Sequence, residues 1–192
     1  GGTRLVEHGS RLSLGFVPAE ALTAYSAKRT AREAAADVSA WNQQGCLSPH
    51  VIYIEENGVH SPESFAELLA QEMEARERLE PRGSLSVEES MQVVSRRELY
   101  AMRAGMAPAA RERKLESVFL ETATALKLWM SEGSTAWTIV LDGDPLFRNS
   151  CLNRFVYLKP VRNLATALHY AEEIRGRVGA VALAQSGDRL PE

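Results

Sequence analysis

Gly45-Cys46-Leu47-Ser48-Pro49-His50-Val51-Ile52-Tyr53-Ile54-Glu55 passes from a short polar turn directly into a run dense in β-branched and aromatic side chains. Such a run reads as a strand, because branched and aromatic side chains fit a pleated surface. Glu56-Asn57-Gly58 breaks it, since Asn and Gly accept the backbone angles of a tight turn. Its flanks decide the fold class. Before it, Arg11-Leu12-Ser13-Leu14-Gly15-Phe16-Val17 alternates like a second strand, and Pro18-Ala19-Glu20 opens an Ala-rich segment over residues 21–40 that has high helix propensity, with Pro at a first-turn position. After it, Ser61-Pro62-Glu63-Ser64 caps a helix expected to reach Arg78. Strand and helix alternating at this spacing predict an α/β fold of βαβ units, with a mostly parallel sheet between helical layers.

Ser86-Val87-Glu88-Glu89 is a capping-box pattern that opens another long helix towards Gly105, in which Val93, Val94, Leu99 and Met102 recur near helical spacing. Pro81-Arg82-Gly83 separates it from the helix before. Residues 111–144 admit two readings, a hairpin of 122–129 with 135–141 across Glu132-Gly133-Ser134, or a helix over 115–130; the hairpin is preferred. Arg154-Phe155-Val156-Tyr157-Leu158-Lys159 reads as a strand, 163–175 as a helix capped by Asn163, and 178–184 as a buried strand. Residues 1–185 are thus expected to form one cysteine-bearing domain, followed by a polar tail over 186–192.

At 192 residues the chain is long enough for one main core, and its 45% hydrophobic and 24% charged residues are those of a globular protein. A net charge of −3 provides no electrostatic footprint for nucleic acid or an anionic membrane. No apolar run approaches the roughly 20 residues that cross a bilayer and no charged-then-apolar leader precedes the fold, so a cytoplasmic location is the default expectation. Gly1-Gly2 without a methionine suggests a piece of something longer, or a cloning scar. Cys46 and Cys151 make no disulfide framework and have no CxxC or Cys/His partner at metal-ligand spacing, so both thiols are expected to be free and no metal is expected.

Cys46 falls in a loop between a helix and a strand, where α/β folds hold reactive side chains. A thiol there can form a thioester that is either hydrolysed or attacked by hydride, given nearby N–H groups. A lone cysteine is most often a small buried hydrophobe, and that is the reading for Cys151, which follows the turn Gly143-Asp144-Pro145. The run Glu72 to Arg82, with Glu72, Glu74, Arg76, Glu77 and Arg78, reads as a solvated helix face.

Gln43-Gln44-Gly45-Cys46-Leu47-Ser48-Pro49 and the strand after it resemble the nucleophile region of the LuxC-type fatty acyl-CoA reductases, a branch of the aldehyde dehydrogenase superfamily whose corresponding stretch reads Gly-Gln-x-Cys. Glu7-His8-Gly9-Ser10-Arg11-Leu12-Ser13 is similar to the superfamily's Glu-Leu-Gly-Gly-Lys motif, and the gap to Cys46 holds one strand and one helix. Asn153-Arg154-Phe155-Val156-Tyr157-Leu158-Lys159-Pro160-Val161 is similar to the region that follows the superfamily's Glu-x-Phe-Gly-Pro segment, although that segment itself has no counterpart.

The resemblance implies an aldehyde-dehydrogenase-like catalytic domain in which Cys46 takes a long-chain acyl group from acyl-CoA as a thioester, to be reduced to an aldehyde by NADPH. It implies Glu7 as general base, with His8 as the histidine that draws the thiol proton; neighbours on a strand face opposite sides, so the two do not both face Cys46. Asn42, Gln43 and Gln44 either order the loop or donate to substrate and oxyanion. No GxGxxG follows a strand, so NADPH is expected to be bound mainly by a dinucleotide-binding domain absent from this chain. A homo-oligomer is compatible with this reading. The competing functions are a CoA-acylating aldehyde dehydrogenase running the reverse direction and a non-catalytic assembly domain of the same fold.

Overall fold

Two strands, β1 (Leu12–Val17) and β2 (Pro49–Glu55), pair in parallel at the centre of the structure, a computed structural model that describes residues 11–109 and 126–185. Every residue of β1 is buried, as is every residue of β2 except Glu55. Both faces of these strands are covered, which is why they read as continuous apolar runs. The remaining strands are β3 (Lys127–Met130), β4 (Thr138–Leu141), β5 (Phe155–Val161) and β6 (Val178–Leu183), and the sheet order is β3-β4-β5-β2-β1-β6. All neighbours are parallel apart from the β3–β4 hairpin.

Alternation along β2 and β5 divides the interior in two. Ile52, Ile54, Val156 and Leu158 face α1 (Ala27–Ser39) and α2 (Pro62–Leu79), where Val38, Phe65, Leu69 and Met73 meet them. Val51, Tyr53, Phe155 and Tyr157 face α3 (Val87–Ala109) and α4 (Leu164–Tyr170), where Val93, Tyr100 and Ala167 close the layer. The expected three-layer α/β architecture is therefore present, and full burial of a side chain such as Phe65 or Leu69 contributes about 2 kcal/mol.

Three helix starts follow their sequence signals. Ser61 accepts the Ser64 N–H at 3.1 Å, Asn163 accepts the Thr166 N–H at 2.9 Å, and the capping box closes reciprocally through Glu89 N–H to Ser86 Oγ (3.2 Å) and Ser86 N–H to Glu89 Oε2 (2.9 Å). Other boundaries differ. The helix expected over 21–40 starts only at Ala27, because the Thr23 and Ser26 hydroxyls bond each other at 2.6 Å and Ser26 Oγ donates to Ala21 O at 2.9 Å, a local alternative to helical bonding. α4 stops at Tyr170 and continues as a 3-10 segment over Glu172–Arg177, since the Ala171 N–H is shared between Ala167 O (3.0 Å) and Leu168 O (3.2 Å). β6 is not a buried strand: it is an edge, alternating half-buried and exposed residues. In the middle of the chain the hairpin reading holds, with Gly133 at φ 63° in its turn. Residues 122–125 of that expectation, and the tail over 186–192, lie outside the described residues.

Candidate functional site

Cys46 lies just before β2, in a turn closed by the Ser48 N–H on Gly45 O at 3.0 Å, and is exposed. The turn sits where the parallel strands begin, opposite the carboxyl ends at which open α/β sheets usually bind ligands. Backbone conformation there is unusual. Trp41, Asn42 and Gln43 have φ of 52°, 53° and 65°, and a second left-handed triplet, Leu152, Asn153 and Arg154, has φ of 60°, 57° and 64°. Each such non-glycine residue costs on the order of 1 kcal/mol, so something must hold these two turns.

They hold each other. The Asn153 N–H donates to Asn42 O at 3.0 Å. The Gln43 side chain, 1% exposed, donates to Pro49 O (2.8 Å) and Phe155 O (2.9 Å) and accepts the Phe155 N–H at 2.8 Å. It thereby ties the starts of β2 and β5 together, and no N–H of its carboxamide remains for an oxyanion. Gln44 Nε2 reaches Glu89 Oε1 (3.2 Å) and Asn153 Oδ1 (3.4 Å), which brings the first turn of α3 against the cysteine turn. Of the three amides, Asn42 alone makes no side-chain hydrogen bond among the described residues.

The second triplet has its own supports. Glu77 accepts from Arg154 Nη1 at 2.6 Å and from the Arg82 N–H at 3.0 Å, while Arg82 Nη1 reaches Asn153 O at 3.5 Å. Glu74 accepts the Trp137 indole N–H at 3.1 Å. The Glu72–Arg82 run is therefore more than a solvated face. One side of it anchors the turn that packs on the cysteine turn.

Cys46 is also held through its own main chain. Ser13 Oγ, 1% exposed, donates to Cys46 O at 2.6 Å and accepts the Ala180 N–H at 3.0 Å. Gly179 eases this approach, since a Cβ there would stand in a tight contact 3.0 Å from Cys46 O. Ser13 carried no signal in the sequence beyond being a polar residue in an apolar strand.

His50 was also missed. It occupies a β-bulge, as Ser13 pairs with Pro49 and Leu14 with Val51, and the extra residue turns its ring towards Ser150. Its Nδ1 accepts the Ser150 N–H at 3.1 Å, which places the ring proton on Nε2, and burial lowers its pKa. Cys151 is buried, and burial pushes its thiol pKa up against the opposing effect of Arg96. Glu7 and His8 lie outside the described residues.

A separate charged cluster occupies the far ends of β4 and β5. Fully buried Lys159 donates to Asp142 Oδ2 at 3.4 Å and to Asp144 O, and Arg148 Nη2 pairs with Asp144 at 2.6 Å. Burial pushes the Lys159 ammonium pKa down while Asp142 and Asp144 pull it back. Among the described residues no cluster of three His, Cys, Asp or Glu is placed to hold a metal, and no helix is long and apolar enough to cross a membrane.

Comparison with known proteins bears on the family and the fold. A family model described as acyl-CoA reductase (LuxC) matches residues 1–192. No curated protein matches the chain. Among solved structures, an NAD-dependent benzaldehyde dehydrogenase from Corynebacterium glutamicum superposes with a TM-score of 0.58 at 11% identity, over 91% of this chain and 39% of the other. A 1-pyrroline-5-carboxylate dehydrogenase from Thermus thermophilus gives 0.54 at 15% identity, over 91% and 35%. A gamma-glutamyl-gamma-aminobutyraldehyde dehydrogenase from Burkholderia cenocepacia gives 0.51 at 11%, over 94% and 39%. These likenesses establish an aldehyde dehydrogenase fold. The chain spans less than two fifths or about that much of each neighbour.

Proposed function

The chain belongs to the acyl-CoA reductase family of the LuxC type, and from that premise we propose that it is the catalytic domain of a long-chain acyl-CoA reductase, with Cys46 as the acyl acceptor. The observation that carries this reading is the exposed Cys46 thiol on a turn held in place by the buried Gln43 side chain and its hydrogen bonds to the starts of β2 and β5. A rigid mount of this kind suits a nucleophile, since small misplacements cost large factors in rate.

In the proposed reaction the Cys46 thiolate attacks the thioester carbonyl of acyl-CoA, the π pair moves to oxygen, and collapse expels the CoA thiolate, leaving an acyl-cysteine. Proton removal from the thiol falls to Glu7 or His8. Asn42 is the amide in the turn whose side chain is open to substrate.

No G-x-G-x-x-G turn occurs among the described residues. NADPH, which supplies the hydride, is assigned in this proposal mainly to a dinucleotide-binding domain outside the chain.

Incubating the full-length protein with a long-chain acyl-CoA and no NADPH tests the assignment. A mass shift of one acyl group is expected on the Cys46 peptide and is lost in Cys46→Ser. An adduct that persists in that variant moves the nucleophile elsewhere.

A further inference from the structure

We infer that Ser13 is a positioning residue for the acylation step, fixing the Cys46–Leu47 peptide so that the Leu47 N–H donates to the oxyanion formed on the acyl carbonyl. This rests on Cys46 being the acyl acceptor, as proposed above.

Three observations converge on that peptide. First, β1 breaks register at Ser13 towards both neighbours: Leu12 pairs with Val178 and Leu14 with Val181 on one side, while Ser13 pairs with Pro49 and Leu14 with Val51 on the other. The ladder is open there, and the Ser13 hydroxyl fills the gap by accepting the Ala180 N–H (3.0 Å) and donating to Cys46 O (2.6 Å). Second, Gly179 leaves the carbonyl room to sit against the strands, 3.0 Å from where a Cβ would be. Third, a trans peptide holds its C=O and N–H antiparallel, and the described residues contain no cis bond. A Cys46 carbonyl drawn into the strand ends therefore turns the Leu47 N–H away from them, towards the solvent that Cys46 and 68% exposed Leu47 face. Among the described residues that N–H has no acceptor.

A free main-chain N–H held rigidly beside a nucleophile is the arrangement that stabilises a tetrahedral oxyanion, and losing such a donor costs about 10²- to 10³-fold in rate. Losing only the group that aims it costs less, on the order of 10-fold.

The test compares two electrophiles on one thiol. Palmitoyl-CoA passes through an oxyanion on its way to the acyl-cysteine, whereas iodoacetamide alkylates by direct displacement and makes none. In Ser13→Ala, acylation of Cys46, followed by mass spectrometry of its peptide, is expected to slow about 10-fold, with alkylation of the same residue unchanged within about twofold. Ser13→Thr, which keeps the hydroxyl, is expected to return most of the acylation rate. If Ser13→Ala fails to fold, Gly179→Ala displaces the same carbonyl from the other side and is expected to show the same selective loss. A folded variant that slows both reactions equally, or neither, overturns the positioning role. Wild-type protein that alkylates at Cys46 but never acylates there overturns the proposed function, and this inference with it.

Discussion

Truncating Gln43 removes the side-chain partner of Pro49 O, Phe155 O and the Phe155 N–H at once, the last of which keeps Leu152 O at 3.1 Å. Each buried group left unpaired costs about 1–3 kcal/mol. Gln43→Leu is therefore expected to lose about 3 kcal/mol in urea unfolding, a large share of the stability of an ordinary domain. His50 adds a pH dependence. Its native pKa is lowered by burial, so the unfolded chain binds the proton first. Stability is full above the unfolded value of about 6.5 and falls as pH drops from there towards the native pKa. His50→Gln is expected to flatten that part of a stability-against-pH curve, and an unchanged slope refutes the assignment. The thiols give a third contrast. Exposed Cys46 is expected to be alkylated by iodoacetamide well before Cys151, whose burial both hides the thiol and raises its pKa.

Among the elements, α3 depends on its first turn and on one internal arginine. The reciprocal Ser86–Glu89 cap starts it, and Ser86→Ala is expected to cost about 1 kcal/mol. Buried Arg97 then docks it on the hairpin, donating to Thr138 Oγ1 (2.7 Å), Ser134 O (2.6 Å), Ser131 Oγ (3.1 Å) and Trp137 O (2.6 Å). Burial, with the nearby positive charge of Arg82, lowers its pKa to about 10. In β5 the decisive side chain is Lys159, buried against the equally buried Asp142. Lys159→Ala leaves that carboxylate without its ammonium, and a loss of about 3 kcal/mol is expected. Replacing both by apolar residues of similar volume is expected to recover most of it, as measured by chemical denaturation.

On the scale of the molecule, the sheet ends in two edges, β3 and β6, and the chain covers 39% of the benzaldehyde dehydrogenase whose fold it shares. If the dinucleotide is held by residues beyond this chain, the 192-residue protein alone is expected to show no saturable NADPH binding by calorimetry and no aldehyde formation from acyl-CoA. A full-length relative measured in parallel is expected to show both. Turnover by the short chain alone would contradict the division of labour proposed for it.

The α/β class, the mostly parallel pairing and the cap residues were legible in the sequence because each rests on a local signal. The alternating run at 12–17, the β-branched run at 50–55, Ser61, the Ser86–Glu89 box and Asn163 act within a few residues of themselves. The same holds for the cysteine turn, whose residues are contiguous. What tertiary structure alone decided involves partners far apart in the chain. β6 is apolar enough to be central, but the sheet order makes it an edge. Gln43 looked like a loop amide until β5 arrived beside it, and Glu77 looked like a surface charge until Arg154 turned towards it. Ser13 acquired its role from a register break against two strands, one of them at the far end of the described chain. Hydrogen bonds between distant residues leave no periodicity to read, because what satisfies a buried polar group is whatever main chain the fold brings within about 3 Å.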